Sequence, residues 1–477
     1  MRRLKVILST KHIIENSGVA FGTSGARGLV SDFTPEVCAA FAISFASVLQ
    51  KEAPVITIAV AIDNRPSSYQ MAQAICAGLA QLCITAEFYG VIPTPALAFY
   101  AMQHTMPCIM VTGSHIPFDR NGLKFYRPKG EITKTDETAI LSASVNLEPI
   151  ESLPELTELS DAKSTYIQRN TEAFSPDTLT GKRIGIYEHS SAGRDIYKSI
   201  FEALGATVIS LGRSDEFVPI DTEAVSEDDK QKAREWVKLH QLNALFSTDG
   251  DGDRPLLSDE NGEWLRGDVL GLLCSKILGI ESLATPVSCN TAIEKSGLFK
   301  HVARTKIGSP YVIAEFDWMS AKYKSVAGFE ANGGYILASE VSFNDKIIKP
   351  LPTRDAVLPV IAVLSQIKSN TVQALVKALP KRFTASDRIK NFAREKSLAL
   401  ISSISKEPAT WLEKLQLSSE LGLIDETDGY RMTFANSHIV HLRPSGNAPE
   451  LRCYVETDSE VTSEQVVSTV LKSISLL

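Results

Sequence analysis

Between residues 55 and 111, apolar β-branched runs alternate with helix-like stretches: VITIAVAI, SYQMAQAICAGLAQLC, AEFYGVI, PALAFYAMQH and CIMVT. Such alternation predicts a parallel sheet wrapped by helices, because each strand needs a helix-length crossover to reach its neighbour. The order recurs in RIGIYEH, DIYKSIFEALG, TVISLG, DDKQKAREWVKLHQ and ALFST, and again from about residue 268 to 370. Element order alone relates these units; no sequence identity marks them as repeats.

At 477 residues the chain is too long for one hydrophobic core. The stretch LEPIESLPELTELSDAKST, rich in Pro, Glu and Ser, places a boundary near residue 160. A second follows the predicted hairpin LLSDENGEWLRG, in which Asn261-Gly262 is a turn signal, and a third lies near 380. The expected organisation is α/β: three related α/β domains with mixed sheets over 1–160, 161–266 and 267–380, then a smaller α+β unit over 381–477. The last contains strand-like RMTF, HIVHLRP and LRCYVE and a closing helix SEQVVSTVLKSI.

The 49 basic and 56 acidic residues are interspersed and leave a net charge of −7, with no basic stripe for nucleic acid. Seven cysteines, at 38, 76, 83, 108, 274, 289 and 453, form no CxxC pair, which argues against a zinc site or a disulfide framework. Charged and polar residues interrupt the N-terminal apolar stretch after VIL, so it reads as mature chain. No run of about 18 apolar residues exists, which excludes a transmembrane helix from the expectation. A reducing cytoplasm is the expected setting.

The sharpest chemical signal is STDGDGDRP, directly after the strand-like NALFS. Asp249, Asp251 and Asp253 at alternate positions in a tight Gly-containing loop supply hard oxygen ligands to one divalent cation. A solvated acidic loop is the bland alternative, but three carboxylates this close are costly without a counter-ion. A calcium loop with Glu260 at position twelve fails, because Arg254 stands where that loop needs Gly and a strand precedes it.

In MVTGSHIPFDRNGLKFY, Ser114 follows a strand and precedes His115 and Lys124; the C-terminal end of a sheet strand is where doubly wound domains place ligands. G-x-S-x-G is absent, which argues against a hydrolase elbow. RPSGNAPELRCYVE sets Arg443, Ser445, Gly446, Asn447 and Arg452 around a turn, the donor chemistry of a phosphate dianion site or else an ordinary surface turn. FGTSGARG carries Thr23, Ser24 and Arg27 and lacks both nucleotide fingerprints. GFEANGGY presents Glu330 and Asn332 between glycines, either to a sugar or to solvent.

Taken in chain order, these five stretches resemble the α-D-phosphohexomutase family from Gly22 to Arg452. The resemblance implies four domains, a magnesium ion on Asp249, Asp251, Asp253 and the phosphorylated Ser114, and a hexose 1,6-bisphosphate intermediate. It implies catalytic roles for Ser114, Lys124, Arg27, His115 and Arg254, with Thr23 and Ser24 in the loop that admits substrate. Sugar hydroxyls fall to Glu330 and Asn332, and the non-transferred phosphate to Arg443, Ser445, Gly446, Asn447 and Arg452. The family's T-A-S-H-N-P reads here Thr112-Gly113-Ser114-His115-Ile116-Pro117, with Gly for Ala a mild change and Ile116 in place of a polar Asn. Its G-E-x-S-G-H reads Phe329-Glu330-Ala331-Asn332-Gly333-Gly334, and a second familiar His position is Ser309. Proton transfer is therefore expected of Lys124, with Lys306 second. The two missing histidines leave a non-catalytic sugar-phosphate sensor as an alternative, against which Ser114 and the aspartates stand. EANGG and EHSSAGRD resemble the bacterial phosphomannomutases of the family more than its glucosamine enzymes, which implies mannose 6-phosphate and mannose 1-phosphate, with glucose or glucosamine phosphates the alternatives. A monomer or homodimer is expected.

Overall fold

The computed structural model describes residues 8–22, 25–446 and 449–476. Thr23, Ser24 and Asn447 lie outside the described residues.

The N-terminal sheet runs in the order Ala20–Phe21, Ala26–Leu29, Arg120–Arg127, Cys108–Val111, Thr57–Ile62 and Thr85–Val91, with Gly130–Glu131 beside Arg120–Arg127. Its three apolar strands are mutually parallel, as the alternation predicts, and the helices Ser68–Gln81 and Thr94–Gln103 cross between them. Arg120–Arg127 returns antiparallel to Cys108–Val111, so the sheet is mixed. The parallel strands all end at one edge, and Asp63, Thr94 and Ser114 follow them there.

A second sheet orders Thr207–Leu211, Arg183–Tyr187, Ala244–Thr248 and Pro255–Leu257, the last pair antiparallel. The expected hairpin shrinks beyond Leu257 to a single bridge, Ser258 to Trp264: the Asn261-Gly262 turn is closed by Asp259, whose side chain accepts from the Asn261 and Glu263 amides. A third sheet orders His301–Thr305, Ser282–Pro286, Val326–Phe329, Tyr335–Leu337 and Leu351–Asp355. The C-terminal sheet is antiparallel, ordered Phe383–Lys390, Glu450–Thr457, Ile439–Pro444, Tyr430–Phe434 and Leu421–Asp425, and is covered by the helix Glu460–Ser475.

One continuous hydrophobic cluster joins residues of the first three units, from Ala59 through Phe246 to Val372. The C-terminal unit has its own core around Trp411, Met432, Leu442 and Val470. Polar contacts attach it: Arg382 and Thr291 meet on Glu456, and the Ile307 amide donates to Asp428 at 2.9 Å. The helix Asp161–Glu172 binds the first three units together: Tyr166 donates to Asp355 at 2.6 Å and Arg169 to the Lys349 carbonyl at 2.7 Å, while the Arg169 guanidinium lies 4.7 Å from the Phe99 ring centroid. Among the described residues no helix is long and apolar enough to cross a membrane.

Candidate active site

Ser114 stands one turn beyond the strand Cys108–Val111, fully buried, with φ 55°. A non-glycine residue in the left-handed region costs on the order of 1–3 kcal/mol and persists only where its surroundings impose it. Here a single guanidinium does so. Arg65 donates from its two terminal nitrogens to the carbonyls of Ser114 (2.8 Å), Ile116 (2.6 Å), Pro117 (2.8 Å) and Arg120 (2.9 Å). Its Nε meets Asp63 at 3.2 Å, and Thr112, bonded to the same carboxylate, accepts from the Ser114 amide at 2.8 Å. The exchange of Ala for Gly at 113 is not mild in this setting: a Cβ there would lie 2.6 Å from Arg65 Cζ. Arg65 also holds the Ile116 side of the loop through its carbonyl, so the polar side chain expected there is not what fixes it.

The aspartate loop lies against this serine. Ser114 Oγ donates to Asp249 Oδ2 at 2.6 Å. Carboxylate oxygens of Asp249, Asp251 and Asp253 come within 4.8 Å of one another, all three residues are fully buried, and Oδ1 of both Asp251 and Asp253 lacks a hydrogen-bond partner. Burial, then the charges of Asp251 and Asp253, push Asp249 well above the usual carboxylate range. Burial is the largest influence on Asp251 and Asp253 and works to raise both, but Lys124, Thr94 and Arg354 together at the first, and Arg354, Lys124 and Arg254 together at the second, hold both carboxyls low. Lys124 Nζ sits 2.5 Å from Asp251 and 2.6 Å from Asp253. Two buried, unpartnered oxygens on a cluster of hard donors fit a divalent cation. The loop is braced from behind by residues 188–195: the Ala192 amide donates to the Gly250 carbonyl at 2.9 Å, and Ser191 bonds Thr248 at 2.8 Å.

A cleft bordered by His115, next to the serine in the chain, brings together Arg27, His115, Arg254, Glu330, Asn332, Arg443, Ser445 and Arg452 from all four sheet units. Six arginines and four carboxylates line it, an excess of positive charge suited to an anionic ligand. Arg254 donates to His115 Nδ1 at 2.7 Å; a guanidinium has no acceptor, so the neutral ring carries its proton on Nε2. Burial and then Arg254 hold His115 well below the ordinary histidine range, which keeps it neutral. Burial pulls Arg27 down to about 10. Asn332 Oδ1 accepts from the Gly334 amide at 3.0 Å, which shapes its loop. Arg443 and Arg452 face each other on adjacent strands, and Arg443 Nε is anchored 2.8 Å from Asp428. Gly446, beside Ser445, is exposed.

Lys306 is not drawn in: it is exposed, 5.9 Å from the Tyr311 ring centroid. Ser309, where a histidine is familiar, donates to Glu131 at 2.9 Å, and Glu131 also accepts from Thr353 at 2.7 Å, so this position ties the first unit to the third. Sequence reasoning missed Arg65, Asp63, Thr94 and Arg354. Thr94, whose hydroxyl and amide both bond Asp251, follows a strand end just as Ser114 does, and that placement was the available signal.

Residues 18–149, 266–383 and 372–473 match the profiles of phosphoglucomutase/phosphomannomutase α/β/α domain I, α/β/α domain III and C-terminal domain. The chain belongs to the phosphoglucomutase/phosphomannomutase family. It is 56% identical to a phosphomannomutase of Salmonella muenchen, over 99% of this chain and 98% of that one. It is 42% identical to a phosphomannomutase of Sinorhizobium fredii, over 94% and 98%. In fold it is similar to a family protein of Burkholderia thailandensis (TM-score 0.73, 17% identity, 95% of this chain and 97% of that one). It also resembles an Aspergillus fumigatus N-acetylphosphoglucosamine mutase solved with GlcNAc-6P and magnesium (TM-score 0.60, 12% identity, 98% and 99%).

Proposed function

We propose that this chain is a phosphomannomutase, interconverting mannose 6-phosphate and mannose 1-phosphate through a phosphoserine at Ser114. The observation that carries the mechanism is the 2.6 Å bond from Ser114 Oγ to Asp249, made by loops whose neighbouring residues His115 and Arg254 line a cationic cleft that also holds Arg443, Ser445 and Arg452. Two bacterial relatives named phosphomannomutase support the choice of mannose.

Phosphoryl transfer asks a protein for positioning and charge neutralisation more than for covalent chemistry. Asp249, Asp251 and Asp253, with a phosphoryl oxygen on Ser114, would hold magnesium, which when bound neutralises charge on the transferring group. Arg443, Ser445, Asn447 and Arg452 grip the phosphate that does not react, while Glu330 and Asn332 hold ring hydroxyls. In the first half-reaction the bond from phosphorus to Ser114 Oγ breaks and one to the free sugar hydroxyl forms. The sugar hydroxyl's proton ends on Ser114 Oγ, which then donates to Asp249; Lys124, an ammonium between Asp251 and Asp253, relays it by releasing one of its own protons to Ser114 as it takes up the hydroxyl's. The hexose 1,6-bisphosphate turns over, its other phosphate returns to Ser114, and the isomer leaves. Arg254 and Arg27 supply fixed positive charge beside this path, and neutral His115 offers Nε2–H as a donor.

The division at residues 160, 266 and 380 is part of this reading, supported by sheets that each lie within one segment. Seven unpaired cysteines support a cytoplasmic setting, with the chain acting as a monomer or homodimer. The test is a panel of mannose, glucose and N-acetylglucosamine 1-phosphates assayed with magnesium and catalytic bisphosphate. Mannose 1-phosphate should rank first; an acetylated sugar ranking first contradicts the assignment.

A further inference from the structure

The sugar loop has Gly334 where the family usually has His, and that space is filled from elsewhere. A Cβ on Gly334 would lie 2.5 Å from Cδ and 2.7 Å from Cγ of Arg354. Arg354 reaches it from the strand Leu351–Asp355, which pairs antiparallel with Tyr335–Leu337 and sets Tyr335 opposite Asp355. The neighbouring Thr353 is fastened to Glu131, so the strand end that carries Arg354 is fixed from the opposite side as well.

The guanidinium is only 2% exposed and uses every nitrogen. Nε and one terminal nitrogen meet Asp253 Oδ2 at 3.1 and 2.9 Å, and the other terminal nitrogen donates to Glu330 Oε2 at 3.0 Å. One rigid planar group therefore spans the loop assigned to the sugar and the loop assigned to the metal. A guanidinium keeps its charge at any working pH, and its fork fixes the direction of both carboxylates, which a lysine ammonium on a flexible stem does not do.

We propose that Arg354 is a positioning residue of the transfer reaction: standing over Gly334, it locks the Glu330 carboxylate in register with the aspartate loop and so aligns the bound hexose with the phosphoryl group. The assignment rests on the reading of Glu330 as the sugar-binding carboxylate. Lost alignment at a reacting centre costs on the order of 10²-fold in rate even when the displacement is about 1 Å. Because Arg354 acts through Glu330, removing both should cost little more than removing one. Gly334 belongs to the same device: a methyl group there displaces Arg354 without removing any polar partner.

The experiment compares kcat and KM on mannose 1-phosphate for wild type, Glu330→Gln, Arg354→Gln, the double variant, Arg354→Lys and Gly334→Ala, with thermal unfolding recorded for each. Arg354→Gln should lose on the order of 10²-fold in kcat/KM. The double variant should fall within about threefold of the weaker single variant, Arg354→Lys should recover at most about tenfold, and Gly334→Ala should approach the Arg354→Gln value. Should Arg354→Gln fail to fold, Arg354→Lys and Gly334→Ala carry the test, since both keep a cationic side chain at position 354. Losses that multiply in the double variant, or wild-type kinetics in Arg354→Lys or Gly334→Ala, overturn the proposal while leaving the mutase reading intact. Wild-type enzyme inactive on every hexose phosphate of the panel overturns that reading, and this proposal with it.

Discussion

Ser114 Oγ and Asp249 Oδ2 stand 2.6 Å apart although 135 residues separate them in the chain. The contact joins the first sheet to the second at the ends of their strands Cys108–Val111 and Ala244–Thr248, so nucleophile and carboxylate cluster are aligned by the fold itself. What the site does to its ionisable groups follows from that burial.

Asp251→Asn should sharply reduce activity and shift its magnesium dependence to higher concentration. An amide oxygen replaces a charged ligand in a cluster of three, and the Lys124 ammonium loses one of its two carboxylate partners. Titration of activity against magnesium checks this; an unchanged curve, or activity surviving a chelator, contradicts the metal assignment.

Lys124 separates two roles by two substitutions. If it carries the proton as well as charge, Lys124→Arg should be nearly as inactive as Lys124→Met, because a guanidinium does not release its proton near neutral pH. Initial rates with saturating bisphosphate measure the difference, and an arginine variant retaining most of the wild-type rate would assign Lys124 to charge alone.

Arg65→Lys should lower kcat by about 10²-fold while leaving the fold in place. One ammonium pairs with Asp63 but cannot span four loop carbonyls, so the left-handed turn at Ser114 relaxes. Hydrogen exchange of amides 113–116 and 118–120 should quicken in parallel; slow exchange with a normal rate would show the clamp to be dispensable.

Acid should destabilise the protein through two buried histidines. Burial lowers His189 and His441 each to about 4, and neither ring gains enough from its carbonyl partner to compensate. A histidine depressed in the folded state binds its proton more readily when unfolded, so the stability it contributes is present above about pH 6.5 and lost as pH falls towards 4. The loss is on the order of 3 kcal/mol per residue at the lower end. Melting temperatures between pH 7 and 4.5 should fall steeply for wild type and less steeply for His441→Gln; parallel curves contradict the assignment at that residue.

The sequence was legible where chemistry is local. Thr112 to Pro117 and Asp249 to Arg254 are short loops after apolar strands, and both strand and loop announce themselves in consecutive residues. Arg65, Thr94 and Arg354 left no such mark, because each acts on loops 24 to 157 residues away, a pairing that no run of consecutive residues records. The strands Phe383–Lys390 and Leu421–Asp425 escaped notice for a related reason. They are the two edges of their sheet, with no fully buried residue between them, so selection for a core leaves no apolar alternation to read. The shared core of the first three units was equally hidden, since periodicity shows that a helix face is buried without showing against what.

The central claim is that Ser114 carries the phosphoryl group between turnovers. Dephosphorylated enzyme incubated with magnesium and a hexose 1,6-bisphosphate should gain about 80 Da by intact mass, located by peptide mapping at Ser114 and abolished in Ser114→Ala together with all turnover. A turning-over enzyme whose mass does not change, or whose label sits on another residue, would contradict the phosphoserine mechanism.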